Sequence, residues 1–182
     1  MRTESQIQRR ILKILERAEI ASPPIDVFQV ANLLGADVRP EFADDDISGA
    51  LYRHEDGPVI GVNASHHPHR QRFTIAHECG HLVLHDEPVY IDRTYTSARP
   101  SKSTPAFLRS AVSSAAIDSA EIEANQFAAC LLMPKPFLIK DLQEETFPLT
   151  AESVEKLARS YKVSTQAMTY RLTNLDVPLD LA

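Results

Sequence analysis

Five residues near the middle of the chain, His77-Glu78-Cys79-Gly80-His81, read H-E-x-x-H. Residues four apart on a helix advance by about 400°, so both imidazoles leave the same face one turn apart and can share one tetrahedral Zn²⁺. Glu78 lies about 100° round from His77. From there its carboxylate can act on a water at the metal without being a ligand, the position of a general base for hydrolysis. Cys79 is about 200° round from His77 and points away from such a site.

The flanks of the motif say where this helix must sit. Phe73, Ile75, Ala76, Cys79, Leu82, Val83 and Leu84 leave hardly any solvated face, so the helix is expected to run through the core. Unpaired buried polar groups cost about 1–3 kcal/mol each, so two histidines and a glutamate there need something to satisfy them. The alternative to a metal is a pair of hydrogen-bonded core histidines. His85 extends the ladder, but its Cα lies ~12 Å from that of His77, which makes it a supporting or packing group. Upstream, His66, His67 and His69 form a loop where a second metal site is conceivable, although exposed histidines are usually solvated. Ser65 is expected to cap the helix, with Pro68 in its first turn.

The chain of 182 residues is 43% hydrophobic and 24% charged with a formal charge of −6. That is enough for one globular core. No apolar run approaches the ~20 residues of a membrane span, and Met1-Arg2-Thr3-Glu4-Ser5-Gln6 lacks the apolar segment of a signal peptide. A cytoplasmic, soluble protein is therefore expected. The acidic total argues against general binding to nucleic-acid phosphates. Cys79 and Cys130 belong to no C-x-x-C pair and read as reduced core residues.

Around the motif the periodicities alternate. Ile7, Ile11, Ile14, Leu15 and Ala18 predict a helix from about Glu4 to Ile20, ended by Ser22-Pro23-Pro24. Asp26 caps a second helix with Val27, Val30, Ala31 and Leu34 on one face, stopped by Gly35. Val38, Ile47 to Tyr52 and Val59 to Val62 read as short strands, the last two forming a hairpin around Glu55-Asp56-Gly57 that leads into the motif helix. Asp86-Glu87-Pro88 ends that helix. Residues 92–119 read as a long loop with one short helical turn near Phe107-Leu108. Helical spacing returns at Asp118 and breaks at Met133-Pro134-Lys135-Pro136. On this helix Glu121 and Asn125 share a face. Thr150 and Ser164 cap two final helices joined by Lys162-Val163-Ser164, a helix-turn-helix-like pair. Thr165, Gln166, Thr169 and Arg171 are its candidate DNA-facing residues. Packing on the rest of the protein is the simpler role for the pair.

Three blocks in order carry a resemblance: Ser48-Gly49-Ala50-Leu51; Arg72 to His85; and Glu121 to Pro134. Together they resemble the ImmA/IrrE-type metallopeptidases, over roughly Val27 to Leu175. The resemblance implies an α+β, zincin-like metallopeptidase domain over residues 1–148, with a small antiparallel sheet, the H-E-x-x-H helix, and helix-turn-helix-like helices packed on it over 149–182. It implies a gluzincin-like site with one Zn²⁺ on His77, His81 and Glu121, with Glu78 as the catalytic base, and Asn125 and His85 supporting the ligands. Glu123 is the second choice for third ligand. A metzincin pattern fails, because Leu84 and Glu87 stand where Gly and His would be needed.

The resemblance also implies a role in transcription regulation or a toxin–antitoxin pair, by cleavage of a protein partner such as an Xre-type helix-turn-helix repressor or antitoxin. It places Ser48, Gly49 and Ala50 on an edge strand that pairs with extended substrate, Gly49 allowing close backbone approach. If both edges of that strand prove paired, residues 92–119 become the better candidate. The competing reading is a non-enzymatic regulator or toxin-like protein that binds DNA or a partner around a structural metal. Ligand count separates the two: four protein ligands close a site, and three leave a position for water.

Overall fold

The computed structural model describes residues 1–41, 47–86, 89–93 and 114–181. Helix α1, Glu4–Arg17, opens on a capping box in which Thr3 and Gln6 satisfy each other's backbone N–H, and it buries Ile7, Ile11, Ile14 and Leu15. Asp26 caps α2, Val27–Leu33, by accepting from the N–H groups of Phe28 and Gln29. Gly35 follows at φ +82°, a left-handed conformation that glycine adopts without a Cβ clash.

Strands β1 (Asp37–Glu41), β2 (Ile47–His54) and β3 (Gly57–Asn63) precede the motif helix α3, Pro68–Leu84. β2 and β3 are an antiparallel hairpin, and β1 adds parallel to β3. A fourth strand, β4 (Val89–Arg93), pairs antiparallel with β2, giving the order β1-β3-β2-β4. This corrects the expected open edge: Gly49 and Ala50 are paired on both sides, by β3 and by β4, and leave no edge there for a substrate strand, while Ser48 lies at an irregularity in the β2–β4 register. β4 overlaps the expected loop of residues 92–119 only at Asp92 and Arg93. The rest of that stretch, including Phe107-Leu108, falls outside the described residues until α4, Ser114–Leu132.

Two close approaches fix α3 between the sheet and α4. A Cβ on Gly49 would lie 2.3 Å from Thr74 Cγ2 and 2.9 Å from Gly61 O. The glycine is therefore explained by β2 pressing on α3, with no need for a substrate backbone beside it. On the other side, a Cβ on Gly80 would lie 3.1 Å from both Ala124 Cα and Phe127 Cβ. Here α3 and α4 nearly touch backbone to backbone. Arg53 adds a tie from β2, its guanidinium donating to the carbonyls of His81, Leu82 and His85 at 2.7–3.2 Å and so capping the C-terminal end of α3.

The cap of α3 also differs from expectation. His67 Nδ1 accepts from the His69 N–H, whereas Ser65 is engaged by Asn63 Oδ1 through both its N–H and its hydroxyl. Past α4, a helix α5 (Lys135–Leu142) begins where Pro134-Lys135-Pro136 suggested only a break; proline in a first turn needs no backbone donor. Thr150 and Ser164 cap α6 (Ala151–Tyr161) and α7 (Thr165–Thr173). Short parallel strands β5 (Leu149–Thr150) and β6 (Leu179–Asp180) bracket the two helices.

Val154, Leu157, Ala158, Tyr161, Met168 and Leu172 of these helices join the same apolar cluster as α1 and α3. Arg171 is a correction: it faces no DNA, being buried with its guanidinium on Met133 O and Glu4 Oε1. Thr165 and Gln166 are exposed. Among the described residues no helix is long and apolar enough to cross a membrane.

Gly49→Ala is expected to lower stability by ~1–3 kcal/mol, the range for overpacking a filled site. Adding Thr74→Ser, which removes the closest methyl, should recover part of that loss but not the part due to Gly61 O. Chemical denaturation of the single and double variants in chelator measures both. Full stability of Gly49→Ala would contradict the β2–α3 contact.

Candidate metal centre

His77, Glu78 and His81 are all buried, at 2%, 0% and 1% exposure, so the helix is interior and its polar side chains must find partners inside the protein. α4 supplies them. Because Gly80 lets Ala124 approach so closely, the residues one turn before and just after Ala124 reach the imidazoles. Glu121 Oε2 lies 3.1 Å from His77 Nε2 and Oε1 lies 3.2 Å from His81 Nε2, and the two Nε2 atoms are 3.0 Å apart. Asn125 Oδ1 is 3.0 Å from His77 Nδ1.

These contacts decide what the cluster can hold. A carbonyl oxygen beside His77 Nδ1 calls for the proton on that nitrogen, which leaves the Nε2 lone pair directed at His81 and Glu121. Imidazole lone pairs and a carboxylate converging on one point repel one another unless a cation sits among them. A tetrahedral zinc with bonds of about 2.0–2.1 Å separates its ligand atoms by about 3.3 Å, and the observed spacings of 3.0–3.2 Å come close to that. The donor set therefore fits a small divalent metal. Among the described residues His77, His81 and Glu121 are the one group of three or more His, Cys, Asp or Glu side chains close enough to share an ion.

The electrostatics agree. Burial raises the Glu121 carboxyl, but its contacts with His77 and His81 outweigh that and bring it down to about 2, an ionised carboxylate. His81 is pushed below the usual imidazole range chiefly by burial, which disfavours its charged form. Cys79, next to Glu78, is raised to about 12 by burial and by that carboxylate, which keeps it a thiol. Cys130 is likewise free and buried.

Glu78 leaves α3 on the face adjoining that of His77 and His81. A Cβ on Gly49 would lie 3.5 Å from Glu78 Oε1, so the carboxylate sits under β2, while His77 and His81 face α4. Ser48 accepts a hydrogen bond from Arg70 Nη2 at 2.8 Å and is buried. Glu123 does not join the metal-binding group. It contacts His85 Nε2 through Oε2 at 3.3 Å, and His85 Nδ1 in turn meets His81 Nδ1 at 3.1 Å. Arg2 and Arg53 were missed as contributors. For Arg2 no local signal exists, since its partner lies 121 positions away.

The peptidase family whose domain is described as IrrE N-terminal-like matches residues 31–173. The radiation response metalloprotease IrrE of Deinococcus radiodurans is 32% identical over 115 residues, spanning 63% of this chain and 30% of the relative. A solved structure titled Mycobacterium tuberculosis transcriptional regulator superposes with a TM-score of 0.58 at 16% identity, covering 93% of this chain and 46% of that one; this likeness concerns the fold alone. The chain thus spans about a third of the curated relative and about half of the solved one. With most of its length matched by the family, and with the two histidines and the glutamate of the motif in the matched region, the chain belongs to the IrrE N-terminal-like peptidase family.

Proposed function

We propose that the protein is a zinc-dependent endopeptidase that acts in the cytoplasm on a protein partner, an Xre-type helix-turn-helix repressor or antitoxin. The observation that carries the reading is the convergence of two Nε2 atoms and one carboxylate within 3.0–3.2 Å, with a buried glutamate on the adjoining face of the same helix. Among the described residues three protein donors converge rather than four, which supports a catalytic over a structural metal. The choice of a repressor as substrate rests on the family resemblance. The metalloprotease name belongs to the Deinococcus radiodurans relative and supports the peptidase reading here.

Zinc held by His77, His81 and Glu121 would supply Lewis acidity to the scissile carbonyl. Glu78 takes the proton of the attacking water as the new C–O bond forms. It then delivers that proton to the amide nitrogen as the C–N bond breaks. Asn125 accepts from His77 Nδ1–H and so holds that ring in the tautomer a ligand needs. The buried setting of Glu78 beneath β2 limits the rotamers it can take, which keeps the carboxylate aimed at one place.

Two outcomes test this reading. Wild-type protein should bind one Zn²⁺ per chain, and Glu121→Gln should weaken binding by more than the 10–100-fold typical of losing an outer partner; competition with a chromophoric chelator measures it. Unchanged affinity would remove Glu121 from the ligand set. In the second, Glu78→Gln should keep the metal and the fold but slow chelator-sensitive cleavage of the co-purified repressor by roughly 10²–10⁴-fold. Undiminished cleavage would exclude Glu78 as the base, and loss of zinc would make it a ligand.

A further inference from the structure

Behind the metal group a second line of contacts runs away from it. His81 Nδ1 meets His85 Nδ1 at 3.1 Å, His85 Nε2 meets Glu123 Oε2 at 3.3 Å, and Glu123 Oε2 meets Arg2 Nη1 at 2.7 Å. The other carboxylate oxygen, Oε1, accepts from the Arg2 backbone N–H. His81 is 1% and Glu123 3% exposed, and the His85 side chain 9%. These are buried polar groups in series, so each must satisfy the next.

The chemistry at the two ends sets the direction of the hydrogen bonds. An imidazole that gives its Nε2 lone pair to a metal must carry its proton on Nδ1, so His81 donates to His85 Nδ1. His85 then has its proton on Nε2, from which it donates to the Glu123 carboxylate, which cannot itself donate when ionised. The Arg2 guanidinium pairs with that carboxylate and favours its ionised form. Both ends therefore demand the same orientation, and no bond in the chain is left without a proton or with two.

We propose that Glu123, acting through His85 and anchored by Arg2, is a positioning residue for the metal centre: it fixes His81 as the Nδ1–H tautomer and makes that ring the more strongly donating of the two ligand imidazoles. The inference rests on the reading of His77, His81 and Glu121 as a metal site. The two histidines are supported unequally. His77 has a neutral amide behind it, Asn125, and His81 has a carboxylate one imidazole removed. Hydrogen bonding to a carboxylate raises the basicity of a ligand histidine and orients its ring, and loss of such a partner costs about 10–100-fold in metal affinity. The assignment also gives a reason for two acids so near each other on α4. Glu121 and Glu123 are about 200° apart on a helix, so one faces the metal position and the other the rear of the histidine ladder.

The test uses the full chain. In the zinc-loaded protein, ¹⁵N–¹H correlation of the imidazoles should show His81 protonated on Nδ1 and His85 protonated on Nε2. A His85 protonated on Nδ1 instead would overturn the proposal without touching the metal site. Glu123→Gln and His85→Phe should each lower zinc affinity by about 10–100-fold, with a smaller loss for Arg2→Gln. They should also shift the visible ligand-field bands of the Co²⁺-substituted protein. Unfolding in chelator separates these effects from any loss of fold, and if a variant does not fold the wild-type tautomers still decide. Wild-type affinity and unshifted Co²⁺ bands in folded Glu123→Gln would reject the positioning role alone. Failure of wild-type protein to bind zinc at all would instead reject the metal-site reading, and this inference with it.

Discussion

The approach of α3 to α4 at Gly80 and Ala124 is the contact on which the site depends. With a Cβ at position 80 only 3.1 Å from Ala124 Cα and 3.2 Å from Ala124 O, the helices are closer than ordinary side-chain packing would allow. A glutamate has a short reach. Glu121 brings both of its oxygens to 3.1–3.2 Å from the imidazoles because its backbone is carried in by this contact. Asn125, one turn further along, arrives beside His77 for the same reason. A bulkier pair at 80 and 124 would part the helices and leave a ladder of histidines facing apolar surface.

The cost of burying so many polar groups is offset by pairing them. His77, His81, Glu123 and Arg171 are each 4% exposed or less, and each has a named partner: Asn125 for His77, His85 for His81, Arg2 for Glu123, and Glu4 with Met133 O for Arg171. Two of those partners come from the first four residues of the chain. The N-terminal segment thus closes one polar network on α4, at Glu123, and another just past its end, at Met133 O, although nothing in its own sequence resembles a functional motif. A buried group left without its partner would cost about 1–3 kcal/mol, and more if charged, so these early residues are held to their positions by the interior they satisfy.

What could be read from the sequence follows from the range over which each feature is encoded. H-E-x-x-H is local: a period of 3.6 residues places His77, His81 and His85 in line and Glu78 to one side whatever surrounds the helix. The caps at Thr150, Ser164 and Asp26 are equally local, and they stand as expected. The helix carrying Glu121 was legible from its spacing, but the choice of Glu121 over Glu123 leaned on a family resemblance, because it depends on the register between two helices far apart in sequence. β4 was missed despite Val89-Tyr90-Ile91, residues suited to a strand, since they lie between Pro88 and a stretch poor in periodicity. The family resemblance placed β2 at an edge, and without β4 nothing in the sequence opposed that. Ser65 lost the cap of α3 to His67 because Asn63 competes for its hydroxyl, a contest that propensity does not resolve.

The two glycine-enabled contacts divide the labour of the site. On one face of α3 the sheet, through Gly49, lies over Thr74 and Glu78; on the other, α4, through Ala124, lies against Gly80 and carries the partners of His77 and His81. Glu78 and the two histidines are thus held by different neighbours through one helix. Because His77 and Glu78 are consecutive, a rotation of α3 that improved one contact would spoil the other. The placement of all three side chains is fixed only when both faces are packed at once, and neither the motif nor either contact alone could establish it.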